Sequence, residues 1–404
     1  MPKGKRIPLF LMSIVLYWFS FFSYMPILTE YLRTFSTTQM AGAIVGIYGL
    51  MQVIFRIPIG MLSDKLKKRR LFVTGACALF ALASLGLSLI RQSYWALLFR
   101  ALGGIAVSTW VPYAALFSSY YKDGKGAGAI GLMNTFNFSG QMLGTFLGGY
   151  AVQLTGDMRS AFFIGILTAT LCFGLSFFIV DQRKEDFPDK PEPFRKQLSV
   201  LKDKTLLWTS ILCAVSQMPI FGGVYGFTPT FAVGNAGADA SQLGIMSTLI
   251  ALMAILGSFV SPRTPRLFKG MENCFFWTFA VFGAYAVIVP FVKSVWIFYL
   301  LHLVFGFFRG MSASQTMDVA IRHIHPARRG TAMGFFQAIY GIGISVAPYL
   351  VGLFGRSGVG ETNLPGLTLG FFVVAAMQAV GAVLSLTVMK KHLHAPVHTE
   401  TTPA

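Results

Sequence analysis

Three arginines lie inside long apolar stretches of this 404-residue chain: Arg56 in QVIFRIPIG, Arg100 in LLFRALGG and Arg309 in GFFRGMSAS. A guanidinium stays charged at any physiological pH and offers five donors in a planar fork, which suits it to gripping a carboxylate-like group at two points. In apolar surroundings such a charge is costly, so each arginine marks either a functional position or a buried partner. Acids in comparable positions are scarcer. Glu30, in LTEYL, and Asp318, in TMDVAI, are the candidates for carrying protons. Asp318 and Arg322 stand four apart, so a local surface pair fits them equally well. His302, seven residues before Arg309, falls where titration near neutral pH is chemically available, although a lone histidine in an aromatic segment reads as a hydrogen-bonded packing residue. Hydrolysis would require a nucleophile with its base, or metal ligands at helical spacing, and HExxH, GxSxG and paired acids do not occur. The chain is not read as an enzyme.

The elements that must position these side chains are membrane helices. A mean hydropathy of +0.63, 54% hydrophobic and 12% charged residues lie far from a soluble composition. Runs of about 20 apolar residues, enough to cross a bilayer, recur near residues 8–30, 39–62, 71–90, 94–117, 127–152, 158–180, 206–231, 240–261, 274–292, 294–320, 331–354 and 368–389. These make twelve expected spans. The first follows Lys3, Lys5 and Arg6 as a signal peptide would, but it is long and no small-x-small cleavage site follows, so it is read as a retained helix. Most of the 33 lysines and arginines fall in alternate connections, which places both termini in the cytoplasm of a multi-pass plasma-membrane protein. The net charge of +18 is thus a topology signal, and a nucleic-acid partner, which would want a basic soluble face, is excluded. Cys77, Cys172, Cys213 and Cys274 have no paired spacing that suggests a disulfide framework or a zinc site. The tail KKHLHAPVHTETTPA reads as a solvated terminus despite its three histidines, and no cofactor is expected.

The longest polar connection, DQRKEDFPDKPEPFRKQLSVLKDKT, divides six spans from six. The expected organisation is a six-helix bundle over residues 1–181, a cytoplasmic linker over 182–205, and a second six-helix bundle over 206–404 with a short cytoplasmic tail. Slid against itself, the chain repeats. Gly131, Gly140 and Gly149 recur as Gly334, Gly343 and Gly352, each 203 residues on, and the same offset carries Pro26 onto Pro229. Parallel six-helix repeats with a site between them are a transporter architecture.

Three motifs resemble those of the major facilitator superfamily. GMLSDKLKKRR matches its loop signature between spans two and three at Gly60, Leu62, Ser63, Asp64, Lys65, Lys68 and Arg69, with Lys67 where that pattern has glycine; the second-half counterpart, GSFVSPRTPR, has Ser261 where the acid would fall. LLFRALGGIAVS resembles the fourth-span signature of the drug/proton antiporters, keeping Arg100 and Gly104, with Gly103 where glutamine is usual. Their fifth-span signature is matched by Gly131, Gly140, Gly144, Gly148 and Gly149, Thr145 standing in place of the proline that Pro348 supplies only in the second copy.

The resemblance implies an all-α integral membrane fold of twelve helices in two six-helix bundles. It implies that spans one, four, seven and ten line a central cavity, which would put Glu30, Arg100, Gln217, Arg309 and Asp318 on or near its wall. Glu30 also suits the headgroup layer at the end of its span. Asp64 with its basic neighbours would form a cytoplasmic gate, to which Arg56 is expected to anchor rather than bind substrate. Gly140, Gly144 and Gly148 share one helical stripe, and Gly131 and Gly149 the opposite one, so neighbouring helices can approach closely on both sides. Smooth glycine faces would also let the halves rock.

The leading expectation is a monomeric secondary transporter that exports a small amphipathic or anionic molecule in exchange for protons. The alternatives are a proton-independent or import-type anion carrier and, from other classes, a membrane receptor or an intramembrane enzyme. Flux in proteoliposomes under an imposed pH gradient separates the first two: antiport predicts flux that follows the gradient, and flux indifferent to it removes the proton step.

Overall fold

A computed structural model describes residues 3–121, 126–181, 199–322, 324 and 329–393. Among the described residues are twelve long helices: α1 (Ile7–Arg33), α2 (Thr38–Leu66), α3 (Arg69–Leu89), α4 (Ser93–Ser118), α5 (Gly126–Thr155), α6 (Arg159–Ser176), α7 (Lys204–Ala236), α8 (Ala240–Val260), α9 (Met271–Phe291), α10 (Val295–Ile321), α11 (Thr331–Phe354) and α12 (Leu364–His392). Eleven are long and apolar enough to cross a bilayer. The remaining one, α5, has the length at 30 residues, and its apolar run is broken by Asn134, Asn137 and Gln141, which line an interior cavity. Residues 182–198 of the expected linker, and the tail from residue 394, lie outside the described residues.

Local chemistry sets the interruptions. Pro26 lies in a 3-10 turn, Met25–Ile27, inside α1, and Pro229 opens the last stretch of α7, Thr228–Ala236, after a π-helical segment, Pro219–Phe227. Proline withholds a backbone donor and π turns widen the helix, so the two prolines related by the repeat mark breaks in repeat-related helices. Lys67, at the glycine position of the loop signature, closes α2 with φ 51° and ψ 36°. The turn therefore keeps the left-handed geometry that favours glycine, at a cost of roughly 1–2 kcal/mol for a residue with a Cβ.

Packing repeats as the sequence does. In the first half α1 packs on α5 and α6, α2 on α4, and α3 on α4 and α6; in the second, α7 packs on α11, α8 on α10, and α9 on α12. Two seams join the halves, α2 with α11 and α5 with α8, and the repeat exchanges one seam for the other. Tyr94 and Trp296, 78% and 75% exposed at the starts of α4 and α10, occupy the position of an interfacial aromatic belt.

The helices meet backbone to backbone. A Cβ on Gly140 would lie 2.5 Å from the Val15 carbonyl oxygen, one on Gly144 would lie 2.7 Å from that of Phe19, and Gly148 faces Ser23. Each partner is four residues beyond the last, so a ridge of α1 sits in a groove that only glycine leaves open. Gly149 points the other way, where a Cβ would come within 2.6 Å of the Ala240 oxygen on α8. In the second copy Gly343 abuts Ala214 of α7, Gly352 approaches the Thr38 oxygen of α2, and the Pro348 carbonyl lies against Gly42. Gly334 has open space beside it, and the surroundings of Gly131 lie outside the described residues. Gly144→Leu is expected to force α1 and α5 apart and to destabilise by more than the roughly 1–3 kcal/mol of ordinary overpacking; thermal unfolding of the purified variant measures this, and an unshifted transition would show the stripe to be incidental.

Candidate functional site

Between the halves lies a cavity with about 1020 Å³ of empty space, its open mouth included, on the scale of a small-molecule site. Trp18, Trp110 and Phe138 line it from the first half, Phe221 and Phe336 from the second, with the amides Asn137, Gln141 and Gln217 among them. Ser258, Met317 and Phe336 belong to the ends of α8, α10 and α11 nearest the α2–α3 connection, so the cavity runs toward that end of the bundle.

Arg309 projects into this space from the middle of α10. Its Nη1 donates to the Tyr225 hydroxyl at 3.2 Å and its Nη2 to Gln141 Oε1 at 3.2 Å, while the guanidinium carbon lies 5.6 Å from the ring centres of both Phe138 and Tyr225. Gln141 is itself fixed by a 2.8 Å bond from its Nε2 to Asn137 Oδ1. The π segment of α7 carries Tyr225 into this contact. Arg309 thus ties α10 to α5 of the other half through a neutral amide, and among the described residues no carboxylate lines the cavity.

At the opposite end of the bundle the halves are closed. Glu30 receives Arg33 Nη1 at 3.0 Å and the Thr230 hydroxyl of α7 at 2.6 Å. Arg33 also donates to the Glu361 carbonyl at 2.9 Å, contacts the Thr362 hydroxyl, and offers its own carbonyl to Gly360 N at 3.0 Å. Thr38 and Ser357 meet hydroxyl to hydroxyl at 2.7 Å.

Against the sequence expectations, Arg309 and Gln217 are on the cavity wall and three other candidates are not. Arg100 is wholly buried behind the wall, 4.7 Å from the ring centres of Phe21 and Tyr48, with its Nη1 3.3 Å from the Tyr24 hydroxyl and its Nη2 3.2 Å from Met25 Sδ. Two desolvated cation–π contacts at about 2 kcal/mol each are of the size of the about 2.5–3.5 kcal/mol cost of inserting the charge, so Arg100 is compensated where it stands. Glu30 belongs to the closed end, held there by Arg33. Asp318 is 63% exposed and forms a 2.7 Å pair with Arg322, a helix-surface contact worth about 0.3–0.5 kcal/mol.

The anchor expected between Arg56 and Asp64 is also replaced. Asp64, 48% exposed, pairs with Arg69 at 2.8 Å beside the exposed Lys65 and Lys68, and Ser63 bonds back to the Gly60 carbonyl at 2.7 Å. Arg56 instead lines the cavity and reaches α11, its Nη1 donating to the Gln337 carbonyl at 3.2 Å and the Tyr340 hydroxyl at 3.1 Å. The sequence reasoning missed Asn134, Asn137 and Gln141. Their signal was present: three amides at helical spacing in an otherwise apolar span lie on one face.

The major facilitator superfamily model matches residues 10–348. The chain belongs to that superfamily. Among relatives of this superfamily member, an uncharacterized MFS-type transporter of Methanocaldococcus jannaschii is 24% identical over 328 residues, covering 80% of this chain and 83% of its own. Multidrug resistance protein MdtG of Dickeya zeae is 24% identical over 351 residues, covering 85% and 83%. The fold is shared with a bacterial homologue of the human lysosomal transporter Spinster in an inward-facing, unoccupied conformation, at a TM-score of 0.78 and 15% identity over 97% of this chain and 98% of that one. The protein is a multi-pass membrane transporter of small molecules and not an enzyme.

The closed end of the transporter yields a direct test. Cysteines placed by Thr38→Cys and Ser357→Cys are expected to cross-link under mild oxidation, given the contact of the two hydroxyls. The link should arrest transport, and Arg33→Gln should lower its yield several-fold; free cross-linking in Arg33→Gln would remove Arg33 from the closure.

Proposed function

We propose that this transporter is a plasma-membrane exporter that exchanges protons for a small amphipathic molecule bearing an anionic or strongly hydrogen-bond-accepting group. It works as a monomer by alternating access. The observation that carries the substrate class is Arg309, a guanidinium at mid-span with aromatic faces on two sides and only neutral acceptors for its donors. A substrate acceptor group would take the fork bidentately, while its apolar body lies against Trp18, Trp110 and Phe221. Relatives named for multidrug resistance and efflux support export and an apolar, adaptable site.

The abundance of Lys and Arg in the connections at the α2–α3 end supports a cytoplasmic position for that end and both termini. On that orientation the conformation described is open toward the cytoplasm and closed outside. Substrate taking the Arg309 fork displaces Gln141 and so loosens a link between the halves, which couples occupancy to rocking about the glycine seams. Glu30 is our candidate for the proton step: protonated from outside, it would lose its attraction for Arg33 and become a weaker acceptor for the Thr230 hydroxyl across the seam, loosening the closed end. A second reading, anion carriage without protons, is favoured by one fact, that among the described residues no Asp or Glu lines the cavity.

The test is ligand-induced thermal stabilisation of the purified protein across anionic, cationic and neutral aromatic compounds. Anions are expected to stabilise most. Arg309→Lys keeps the charge and loses the fork, and Arg309→Gln loses both. The affinity loss should grow in that order and reach about 1.5–3 kcal/mol, or ten- to about a hundredfold in Kd. A cationic ligand whose affinity is unchanged in Arg309→Gln would make the arginine structural and sink the proposal.

A further inference from the structure

The cavity carries two guanidinium groups, one at each side where the halves meet. Arg309 reaches from α10 to Gln141 on α5, and Arg56 reaches from α2 to α11 at the other seam. Arg56 is 2% exposed, yet it lines the cavity and has no carboxylate within ion-pair distance among the described residues. Its present contacts are a backbone carbonyl, the Tyr340 hydroxyl and the Tyr340 ring at 5.5 Å. Its Nε has no hydrogen-bond partner, and neither has Oε1 of the buried Gln337, also on the cavity wall. No lysine, histidine or acid accompanies the two arginines on that wall among the described residues, so the lining carries two positive charges and none of the opposite sign.

We propose that Arg56 and Tyr340, beside Gln337, form a second anion subsite at the α2–α11 seam, so that the cavity takes elongated aromatic molecules with an acidic group at each end. The proposal rests on the reading of Arg309 as the first anchor. A guanidinium buried without an ionic partner is stabilised most by a ligand that supplies the missing charge together with acceptors for the idle donor. Tyr340, whose oxygen already accepts from Arg56, keeps its own O–H free to donate to the same acid group. Gln52, one turn before Arg56 on α2 and also on the wall, offers an amide beside it. The aromatic side chains that share the wall with the two arginines, Trp18 and Phe221 among them, suit a flat connecting body.

The experiment compares matched probes on the purified full-length chain by calorimetry: terephthalate against benzoate, and biphenyl dicarboxylate against biphenyl carboxylate. For at least one length the dicarboxylate should bind about tenfold tighter or better, the scale of one added charge-assisted contact. In Arg56→Gln that ratio should fall toward one. Gln337→Glu leaves the backbone carbonyl that Arg56 uses in place and offers Arg56 an internal carboxylate, so it too should collapse the ratio, and it decides the matter if Arg56→Gln does not fold. A ratio near one in the unsubstituted protein at both lengths, with Arg309→Gln still weakening the monocarboxylates, overturns the second subsite and leaves the first standing. An undiminished ratio in Gln337→Glu overturns it as well. Binding of every probe unaffected by Arg309→Gln would instead remove the first anchor, and this proposal with it.

Discussion

Everything in this fold depends on helices that touch through their backbones. In lipid there is no hydrophobic gain from bringing two apolar helices together, so association rests on close van der Waals contact and on the few polar bonds that cross between helices. Gly140 and Gly144 let α1 lie on α5, and Gly343 lets α7 lie on α11, at separations that a single methyl group would break. The same device recurs between the halves, where Gly149 and Gly244 meet at one seam and Gly42 and Pro348 at the other. Because these contacts lie in the half of the bundle away from the α2–α3 connection, they shut that end and leave the opposite end of the interface to part, which is where the cavity lies.

The polar groups of the interface follow from that geometry. At the closed end the links are numerous, and the two charges there, Glu30 and Arg33, neutralise each other within α1 while they bond to neutral groups of α7 and of the connection between α11 and α12. Within the cavity they are few and neutral on one side, with Gln141 against Arg309 and a backbone carbonyl against Arg56. A guanidinium held only by neutral acceptors is available to a ligand in a way that one already paired with a carboxylate is not. Arg100, whose acceptors are also neutral, is unavailable for a different reason. Enclosed by Phe21 and Tyr48, it has its compensation built in and acts as a structural cation that props the wall formed by Tyr48.

Much of the fold was legible in the residues. Twelve apolar runs and the repeat of Gly131, Gly140 and Gly149 at a fixed offset pointed to the architecture, because the lipid core restricts spanning segments to hydrogen-bonded helices of one length. The glycine stripe announced its own neighbour distance, since residues four apart must share a helical face. Arg309 stood out as a candidate for the cavity wall, where it lies, for a similar reason: nothing on its own helix is placed to neutralise it.

What the sequence could not determine is which face of each helix meets the cavity and what lies across from it. Arg56, Arg100 and Arg309 are equivalent as residues in apolar runs, and they differ only in the rings, amides and carbonyls that other helices bring from far along the chain: Gln337 to the first, Phe21 and Tyr48 to the second, Gln141 to the third. Glu30 and Asp318 likewise separate only once Thr230 arrives across the seam at one and open surroundings remain at the other. Composition and spacing determined the helices, their number and their close contacts, because these answer to the lipid and to the local backbone. Partnership of the buried charges was decided by tertiary structure alone, because compensation acts over a few ångströms of space and owes nothing to separation along the chain.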